Sequence, residues 1–245
     1  MNDLKHILPG EPIPRGSLFH ERRFRVAMRY TSQLQRGGTL LDIGCGNGSQ
    51  TEFFAQHVTS AYGLDLQVTR LPGFKRQIEQ NCNNLTIMGG NGEQVPFKDE
   101  SFDYVTCFEV IEHVVDQHRA LQEIYRILKP GGEAILSVPH RWWVFETHGA
   151  DLPLLPWNRV PFFSWMPKAL HDRWARARIY RQKEIQKLMD ESGFKEIKTA
   201  LLTAPMDVLK VKSLQKLLRA IVFKGDTTKI PLLSSTIFVH VKKNT

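Results

Sequence analysis

Short apolar runs alternate with amphipathic segments along the first 140 residues of the chain. The apolar runs have the length and side chains of buried strands, and the segments between them carry apolar residues at helical spacing. Strand-like runs lie at 39–44, 60–65, 85–89, 102–108 and 133–138, and helix-like segments at 20–35, 49–58, 67–80 and 116–128. This alternation predicts parallel strands with right-handed crossovers and helices on both faces of the sheet.

The alternation stops after Val138. All five tryptophans of the chain lie within 139–180, together with four prolines after Pro139. A regular pattern then returns, with a helix near 182–192, a strand near 196–203, a basic amphipathic helix near 206–223 and a strand at 236–242. We therefore predict an α/β fold with a doubly wound, mostly parallel, seven-stranded Rossmann-like sheet and an aromatic-rich insertion after strand 5. Because open α/β folds bind ligands at the carboxyl ends of their strands, we expect the insertion to cover that edge.

These patterns predict one domain over residues 1–245, divided into four parts. The parts are an N-terminal segment and helix at 1–37, a cofactor-binding core at 38–138, an aromatic and basic lid at 139–180, and a C-terminal completion of the fold at 181–245.

Composition indicates an ordinary globular protein in a reducing compartment. Hydrophobic residues make up 42% and charged residues 24% of the chain, which is typical of globular domains. The cysteines Cys45, Cys82 and Cys107 form no CxxC pair, so we expect free thiols and a cytoplasmic location. Residues 1–17 lack the apolar core of a signal peptide, and no segment has the apolar length that a bilayer span needs.

The net charge of +8 is concentrated in the second part of the chain. Residues 1–140 contain 14 Lys and Arg against 16 Asp and Glu, whereas residues 141–245 contain 19 against 9. This asymmetry indicates an anionic partner, which could be nucleic acid, a membrane surface or a substrate with phosphate or carboxylate. Solvated side chains without a partner are the alternative.

A glycine-rich turn follows the first strand, with glycines at 44, 46 and 48. Glycines at alternate positions let the backbone turn tightly and approach a ligand closely. A dinucleotide fingerprint would place its third glycine at position 49, which is Ser49, so the spacing counts against nicotinamide and flavin cofactors. At the end of the second strand, Asp65 can accept hydrogen bonds from ribose hydroxyls, and Leu66 can pack on adenine.

Five motifs in order over residues 38–140 resemble those of class I S-adenosylmethionine-dependent methyltransferases that act on small molecules, including enzymes of the ubiquinone and menaquinone pathways. The motifs are LDIGCGNG at 41–48, the acid ending strand two, NGEQVPF at 91–97, FDYV at 102–105 followed by EH at 112–113, and LKPGG at 128–132. The resemblance implies S-adenosylmethionine as cofactor, with its methionyl part over Gly44 and Gly46, its ribose on Asp65 and its adenine amine on Asn91. Family members more often carry Asp at position 91, but an amide oxygen also accepts a hydrogen bond. We also assign Asp42, Gly92 and Cys107, which belong to the same segments, to the cofactor site.

A possible metal site follows the fourth strand. If this segment is helical, Glu109, Glu112 and His113 share one face, and two carboxylates with an imidazole suit Mg²⁺ or Mn²⁺. Ubiquinone-pathway O-methyltransferases and small-RNA 2′-O-methyltransferases carry a similar ExxEH string that binds a metal. Many relatives keep only the EH pair, with a structural role, and that alternative stays open. His148 and His171 are candidates for a fourth ligand, but the sequence selects neither.

Two histidines are candidate catalytic bases. A base is needed only when the acceptor is an undissociated hydroxyl or a protonated amine, because the sulfonium is already a good leaving group. His113 lies in the EH pair, and His140 follows the fifth strand at the ligand-binding edge. For His140 a structural role with a local hydrogen bond is the alternative.

The lid suggests the class of acceptor. Its tryptophans and arginines favour a small amphiphilic acceptor, such as a quinone precursor, a lipid or a hydrophobic metabolite. The alternative is an RNA methyltransferase that uses the basic half, but no RNA-binding motif is visible and nucleic acid is the less favoured partner. Peripheral membrane contact through the lid and the basic amphipathic helix is a further hypothesis, against simple packing on the sheet. The sequence does not indicate whether the acceptor atom is O, N or C, nor the oligomeric state.

Overall fold

A computed structural model of the chain describes residues 17–31, 34, 37–67, 82–152, 155–157, 161–204, 206 and 211–245. The predicted helical segment at 67–80 lies almost wholly outside the described residues. The start of the predicted basic helix at 207–210 and residues 1–16 lie outside them as well.

Among the described residues, eight strands form one mixed sheet with the order β3-β2-β1-β4-β5-β10-β8-β9. They are β1 (Thr39–Ile43), β2 (Ser60–Asp65), β3 (Leu85–Gly89), β4 (Phe102–Phe108), β5 (Leu128–Pro139), β8 (Glu196–Thr203), β9 (Thr227–Thr228) and β10 (Ser234–Lys242). Strands β1 to β5 are parallel, and β10 pairs antiparallel with both β5 and β8. A further pair, β6 (Ala150–Leu152) and β7 (Leu155–Trp157), is antiparallel and separate from the sheet.

Six α-helices accompany the sheet among the described residues. They are α1 (Leu18–Tyr30), α2 (Ser49–Ala55), α3 (Gln117–Ile127), α4 (Lys168–Trp174), α5 (Gln182–Glu191) and α6 (Lys212–Ile221). Two of them begin at side-chain caps: the Phe19 N–H donates to Ser17 Oγ, and the Arg119 N–H donates to Asp116 Oδ1. None of these helices is both long enough and apolar enough to cross a bilayer.

Alternation of side chains along the strands gives each face of the sheet its own core. Leu41 belongs to a cluster with Ile124 of α3 and Ile185 of α5, whereas its neighbour Leu40 belongs to a cluster with Val26 of α1 and Phe54 of α2. Successive residues of a strand point to opposite faces, so α3 and α5 cover one face while α1 and α2 cover the other. The doubly wound prediction is confirmed.

The sheet differs from the prediction in detail. It has eight strands instead of seven, because the two-residue strand β9 adds to the edge beside β8. Strand β5 begins at Leu128, five residues before the predicted start, since the LKPGG turn is itself part of the strand.

The segment between β5 and α5 has irregular structure with few regular elements. It contains the β6–β7 pair, a 3₁₀ turn at Phe163–Trp165 and the short helix α4. One small cluster of Ala150, Phe163 and Ala175 forms its own core. The segment leaves the sheet at the carboxyl end of β5, which is the edge where the loops after β1, β2, β3 and β4 also lie.

Candidate functional site

The glycine turn after β1 is held by the end of β2. The backbone N–H groups of Gly44 and Cys45 both donate to the Leu64 carbonyl, at 2.7 and 3.2 Å. The Gly46 N–H donates to Asp65 Oδ2 at 2.8 Å. Gly44, Gly46 and the following Gly48 have φ values of 72°, 54° and 74°, a region that side chains disfavour. The sequence therefore needs glycine at these positions to form the turn.

Asp42, one of the predicted cofactor residues, precedes this turn in β1 and stabilises it through side-chain hydrogen bonds. It is buried, and its two carboxylate oxygens accept hydrogen bonds from Thr51 Oγ1 at 2.5 Å and Thr106 Oγ1 at 2.7 Å. Burial raises the pKa of Asp42 to about 6, although both hydroxyl hydrogen bonds oppose that rise. Its contacts join β1 to α2 and β4, so the carboxylate fixes the elements on either side of the turn.

The other predicted cofactor residues fall into two groups. Asp65, Leu66, Asn91 and Gly92 follow the carboxyl ends of β2 and β3, beside the glycine turn, and Leu66 is 68% exposed. Asp65 Oδ1 accepts from the Gln67 N–H at 2.7 Å, and Asn91 Oδ1 accepts from the Glu93 N–H at 2.9 Å. Each of these oxygens has a second lone pair for a ligand.

Cys107 is placed differently from that group. Its side chain is fully buried in the core on the α3–α5 face of the sheet, and burial raises the pKa of its thiol well above the usual range. The thiol therefore lies among apolar side chains and not with the other predicted cofactor residues.

Four titratable residues meet beyond the end of β4, and we call them the Glu–His cluster: Glu109, Glu112, His113 and His148. His148 is at the centre, with its Nδ1 3.2 Å from His113 Nε2. Its Nε2 is 3.3 Å from Glu109 Oε2 and 3.5 Å from Glu112 Oε1. Glu112, His113 and His148 each offer a ligand atom, and these atoms lie within 4.8 Å of one another.

The helical premise for this segment is wrong. Glu109 has φ +55°, and residues 111–113 form a turn instead of a helix. Long-range contacts fix this backbone, since the Glu109 N–H donates to the Ser137 carbonyl and Ser137 Oγ donates to Glu109 Oε1, both at 3.0 Å. The predicted residues nevertheless come together, through His148 of the insertion.

The pKa values of the two carboxyl groups of the Glu–His cluster are shifted in opposite directions. Burial disfavours ionised Glu109, but the guanidinium of Arg23 at 2.8 Å and the contact with His148 lower its pKa to about 2. Burial and the neighbouring Glu109 charge raise the pKa of Glu112 well above the usual range. Apart from the Glu109 carboxyl group, no group among the described residues forms a hydrogen bond with either Glu112 oxygen. Such an arrangement suits a site that receives a cation.

Arg23 reaches the cluster from α1 and is itself nearly fully buried. Its guanidinium lies 4.2 Å from the Phe19 ring centroid and 5.5 Å from that of Phe108. No signal in the sequence distinguishes it from Arg22, Arg25 or Arg29 of the same helix.

The buried carboxylate of Glu146 holds the backbone of His148 in place. The backbone N–H of His148 donates to Glu146 Oε1 at 3.2 Å, and Glu146 Oε2 lies 3.1 Å from His171 Nε2 and 3.2 Å from Ser164 Oγ. Glu146 and His171 are both completely buried. His171 is thus a structural neighbour of the Glu–His cluster, whereas His148 is a member of it.

His140 is placed outside the Glu–His cluster. It is buried, and its Nδ1 lies 3.2 Å from the Ser234 carbonyl oxygen. Burial lowers the pKa of His140, against the hydrogen bonds to the Ser234 and Pro231 carbonyls. Its contacts join the end of β5 to the start of β10.

The fold is a doubly wound sheet in which a glycine turn follows β1 and the acid Asp65 ends β2. This combination is typical of α/β proteins that bind a nucleoside-containing cofactor. A family described as "Methyltransferase domain" matches residues 41–136. A ubiquinone biosynthesis O-methyltransferase of Alkalilimnicola ehrlichii is 34% identical over 151 residues, covering 57% of this chain and 59% of that protein. A ubiquinone biosynthesis O-methyltransferase of Coxiella burnetii is 27% identical over 175 residues, covering 69% of this chain and 70% of that protein.

Solved structures share the fold. A Thermotoga maritima protein described as a SAM-dependent methyltransferase and possible histamine N-methyltransferase superposes with a TM-score of 0.59 at 22% identity, covering 93% of this chain and 92% of that one. Phosphoethanolamine N-methyltransferase 2 of Haemonchus contortus, in complex with S-adenosyl-L-methionine, superposes with a TM-score of 0.61 at 18% identity. The match covers 96% of this chain and 54% of that one. Residues 41–136 therefore match a methyltransferase-domain family, and the chain has the fold that these methyltransferase structures share.

Proposed function

We propose that this chain transfers the methyl group of S-adenosylmethionine to a hydroxyl oxygen of a small amphiphilic acceptor, and that the acceptor binds at the Glu–His cluster. The observation that carries this proposal is the contact between the cofactor turn and the cluster segment. A Cβ at Gly44 would clash with Val110 Cγ2, and Val110 lies between Glu109 and Glu112 in the sequence. An acceptor at the cluster is therefore next to the turn that holds the cofactor.

On this proposal Gly44 and Gly46 give the methionyl part a flat backbone surface, and Asp65 accepts from the ribose. Leu66 covers the adenine, with Asn91 and Gly92 at its edge. Methyl transfer is an in-line displacement, so these contacts contribute by fixing the direction of the sulfonium relative to the acceptor. Removal of water from the site helps an oxygen anion approach the cation.

We include in the proposal a divalent cation, Mg²⁺ or Mn²⁺, held by the Glu–His cluster. The residues fit such an ion: in the described part of the chain Glu112, His113 and His148 each offer a ligand atom, these atoms lie within 4.8 Å of one another, and the Glu112 carboxyl group is buried. When bound, the ion would favour the ionised form of an acceptor hydroxyl. Arg23 holds Glu109 in position, and His148 is positioned by the Glu146 carboxylate.

The names of the relatives support oxygen as the acceptor atom. Both ubiquinone biosynthesis enzymes are O-methyltransferases by name. The chain spans 59% of the first of these relatives, so its own substrate is a proposal. In the absence of a bound ion, an imidazole of His113 or His148 can accept the proton of a hydroxyl that binds at the cluster.

Aromatic side chains of the insertion support an amphiphilic acceptor. Trp142, Phe162 and Trp165 are partly exposed, and the Phe162 and Trp165 rings are in edge contact at 5.0 Å. The Arg181 guanidinium lies 5.5 Å from the Trp142 ring centroid. Aromatic surface next to a fixed cation suits a molecule with an apolar part and an anionic or polar head.

Transfer of labelled methyl from the cofactor into cell extract tests the acceptor class. The extract is divided into an organic-soluble fraction, an aqueous small-molecule fraction and RNA. We expect label in the organic-soluble fraction; label in RNA would contradict the proposal and support the nucleic-acid alternative. The cation is tested in the same assay, since EDTA should stop transfer and Mg²⁺ or Mn²⁺ should restore it. Full transfer in EDTA would contradict the metal.

A further inference from the structure

Helix α6 lies against the protein by one side only. Its residue Leu218 packs on a small cluster that contains Trp143, Ala204 and Phe223, and the Gln215 amide donates to the Met206 carbonyl at 3.0 Å. No residue of α6 is buried. The helix is therefore attached along a narrow line, and most of its surface faces outward.

The outward surface of α6 carries an apolar ridge. Leu214, Leu217 and Ile221 are spaced three and four apart, so they follow one side of the helix. Leu217 is 54% and Ile221 69% exposed. At the two ends of the helix Val211 and Val222 are also exposed.

Apolar side chains of the next loop extend the ridge. Leu233 of the 3₁₀ turn Pro231–Leu233 packs on the same cluster as Leu218 of α6, which brings the turn close to the helix. Its neighbours Ile230 and Leu232 are exposed. We call the whole surface the α6 ridge, and its exposed apolar residues are Val211, Leu214, Leu217, Ile221, Val222, Ile230 and Leu232.

The charged residues of the segment that forms the α6 ridge are mostly basic. The segment 211–232 contains five basic residues: Lys212, Lys216, Arg219, Lys224 and Lys229. Its single acid, Asp226, is largely buried and accepts hydrogen bonds from Arg25 at 2.8 Å and Arg29 at 2.6 Å. An apolar helix face with lysines on its other sides and no unpaired acid is the composition of helices that lie on anionic bilayers.

We propose that the α6 ridge binds the surface of an anionic lipid bilayer, with Leu217 and Ile221 inserted among the acyl chains and the lysines near the headgroups. A second copy of the chain is the less favourable occupant, because two such faces would bring like charges together in a low-dielectric interface. Membrane binding does not depend on the proposed methyl acceptor. If both proposals hold, the protein meets its amphiphilic acceptor where that acceptor is concentrated.

Flotation of the full chain with lipid vesicles tests this proposal. One set of vesicles is pure phosphatidylcholine, and the other contains about one third phosphatidylglycerol. We expect binding to the anionic set only, weakened by high salt because the attraction is screened. Leu217→Glu and Ile221→Glu should each weaken binding at least tenfold. The double variant with Lys212→Gln and Lys216→Gln should weaken binding about fivefold for each charge removed.

Val115→Glu is the matched control, since Val115 is 71% exposed and lies outside the α6 ridge. It makes the same change of an exposed apolar residue to a carboxylate and should leave binding unchanged. Equal binding of wild type and Leu217→Glu, or absence of binding to the anionic vesicles, would overturn the proposal. Sedimentation velocity gives a second readout: a dimer that Leu217→Glu dissociates would assign the ridge to self-association instead. Cofactor binding, measured separately, distinguishes failure of this proposal from failure of the methyltransferase function.

Discussion

The guanidinium of Arg23 lies 2.8 Å from the carboxylate of Glu109, and both groups are shielded from solvent. Arg23 belongs to α1 and Glu109 to the turn after β4, so this ion pair joins the first helix to the proposed acceptor site. Removing one partner of a buried ion pair leaves the other charge without compensation.

We predict that Arg23→Met destabilises the protein by about 3 kcal/mol, because Glu109 then stays buried without its guanidinium. The free energy of unfolding in urea measures this effect. Arg29→Met removes a cation of the same helix whose side chain is 57% exposed, and it should cost under about 1 kcal/mol. Equal decreases in the free energy of unfolding for the two variants would show that the buried Arg23–Glu109 pair contributes no more than an exposed ion pair.

Glu146 should control the metal affinity of the Glu–His cluster although it is not a member. Its Oε1 accepts from the backbone N–H of His148 and its Oε2 contacts His171 and Ser164, so Glu146→Gln puts an amide N–H₂ in place of one of these acceptor oxygens. We expect Mn²⁺ affinity, measured by electron paramagnetic resonance, to fall about tenfold or more, as for other residues that orient a ligand.

Asp172→Asn is the control for that measurement. Asp172 Oδ1 contacts the other ring nitrogen of His171 at 3.3 Å. Its variant should leave Mn²⁺ affinity within about twofold of wild type. If both variants weakened Mn²⁺ binding equally, the effect would belong to the stability of the insertion and not to the position of His148.

His171 should make stability depend on pH. Burial lowers its pKa, but hydrogen bonds to Asp172 and Glu146 outweigh burial and raise the pKa above 6.5. A raised folded-state pKa gives a stability contribution that is fully present below pH 6.5 and is lost as pH rises through the folded-state pKa. We predict that His171→Gln costs about 2 kcal/mol at pH 5.5 and less at pH 8.5.

The same substitution at an exposed histidine is the control for pH. His118 has a side chain that is 51% exposed, so His118→Gln should change the free energy of unfolding little at either pH. A His171→Gln cost that is constant between pH 5.5 and 8.5 would mean that the ring is neutral in the folded protein throughout.

Local sequence pattern was enough to predict the elements whose burial is continuous. Strand β4 is an example, because six of its seven residues are buried and most of them are apolar. The glycine turn was predictable for a different reason, since the backbone conformation at Gly44 disfavours residues with a side chain. The two-residue strand β9 carries no such signal, and its pairing depends on the position of β8.

Contacts between distant segments explain what the sequence did not predict. The EVIEH string has helical spacing, yet Glu109 adopts a left-handed conformation because Ser137 and Arg23 hold it from other parts of the fold. His148 was one of two candidate ligands in the insertion, and only the folded chain brings it to Glu112. Arg23 lies in a charged helix whose pattern suggests a solvated surface, so its burial was not predictable.

Binding of S-adenosylhomocysteine to the purified chain, measured by isothermal titration calorimetry, tests the central claim most directly. We predict a micromolar Kd, which corresponds to a binding free energy of about −8 kcal/mol. Asp65→Ala should weaken it ten- to a hundredfold through the lost charge-assisted hydrogen bonds. Gly46→Val should abolish it, because a branched side chain would stand in the cofactor turn at a φ of 54°. Tight binding of NADH with none of S-adenosylhomocysteine would contradict the account.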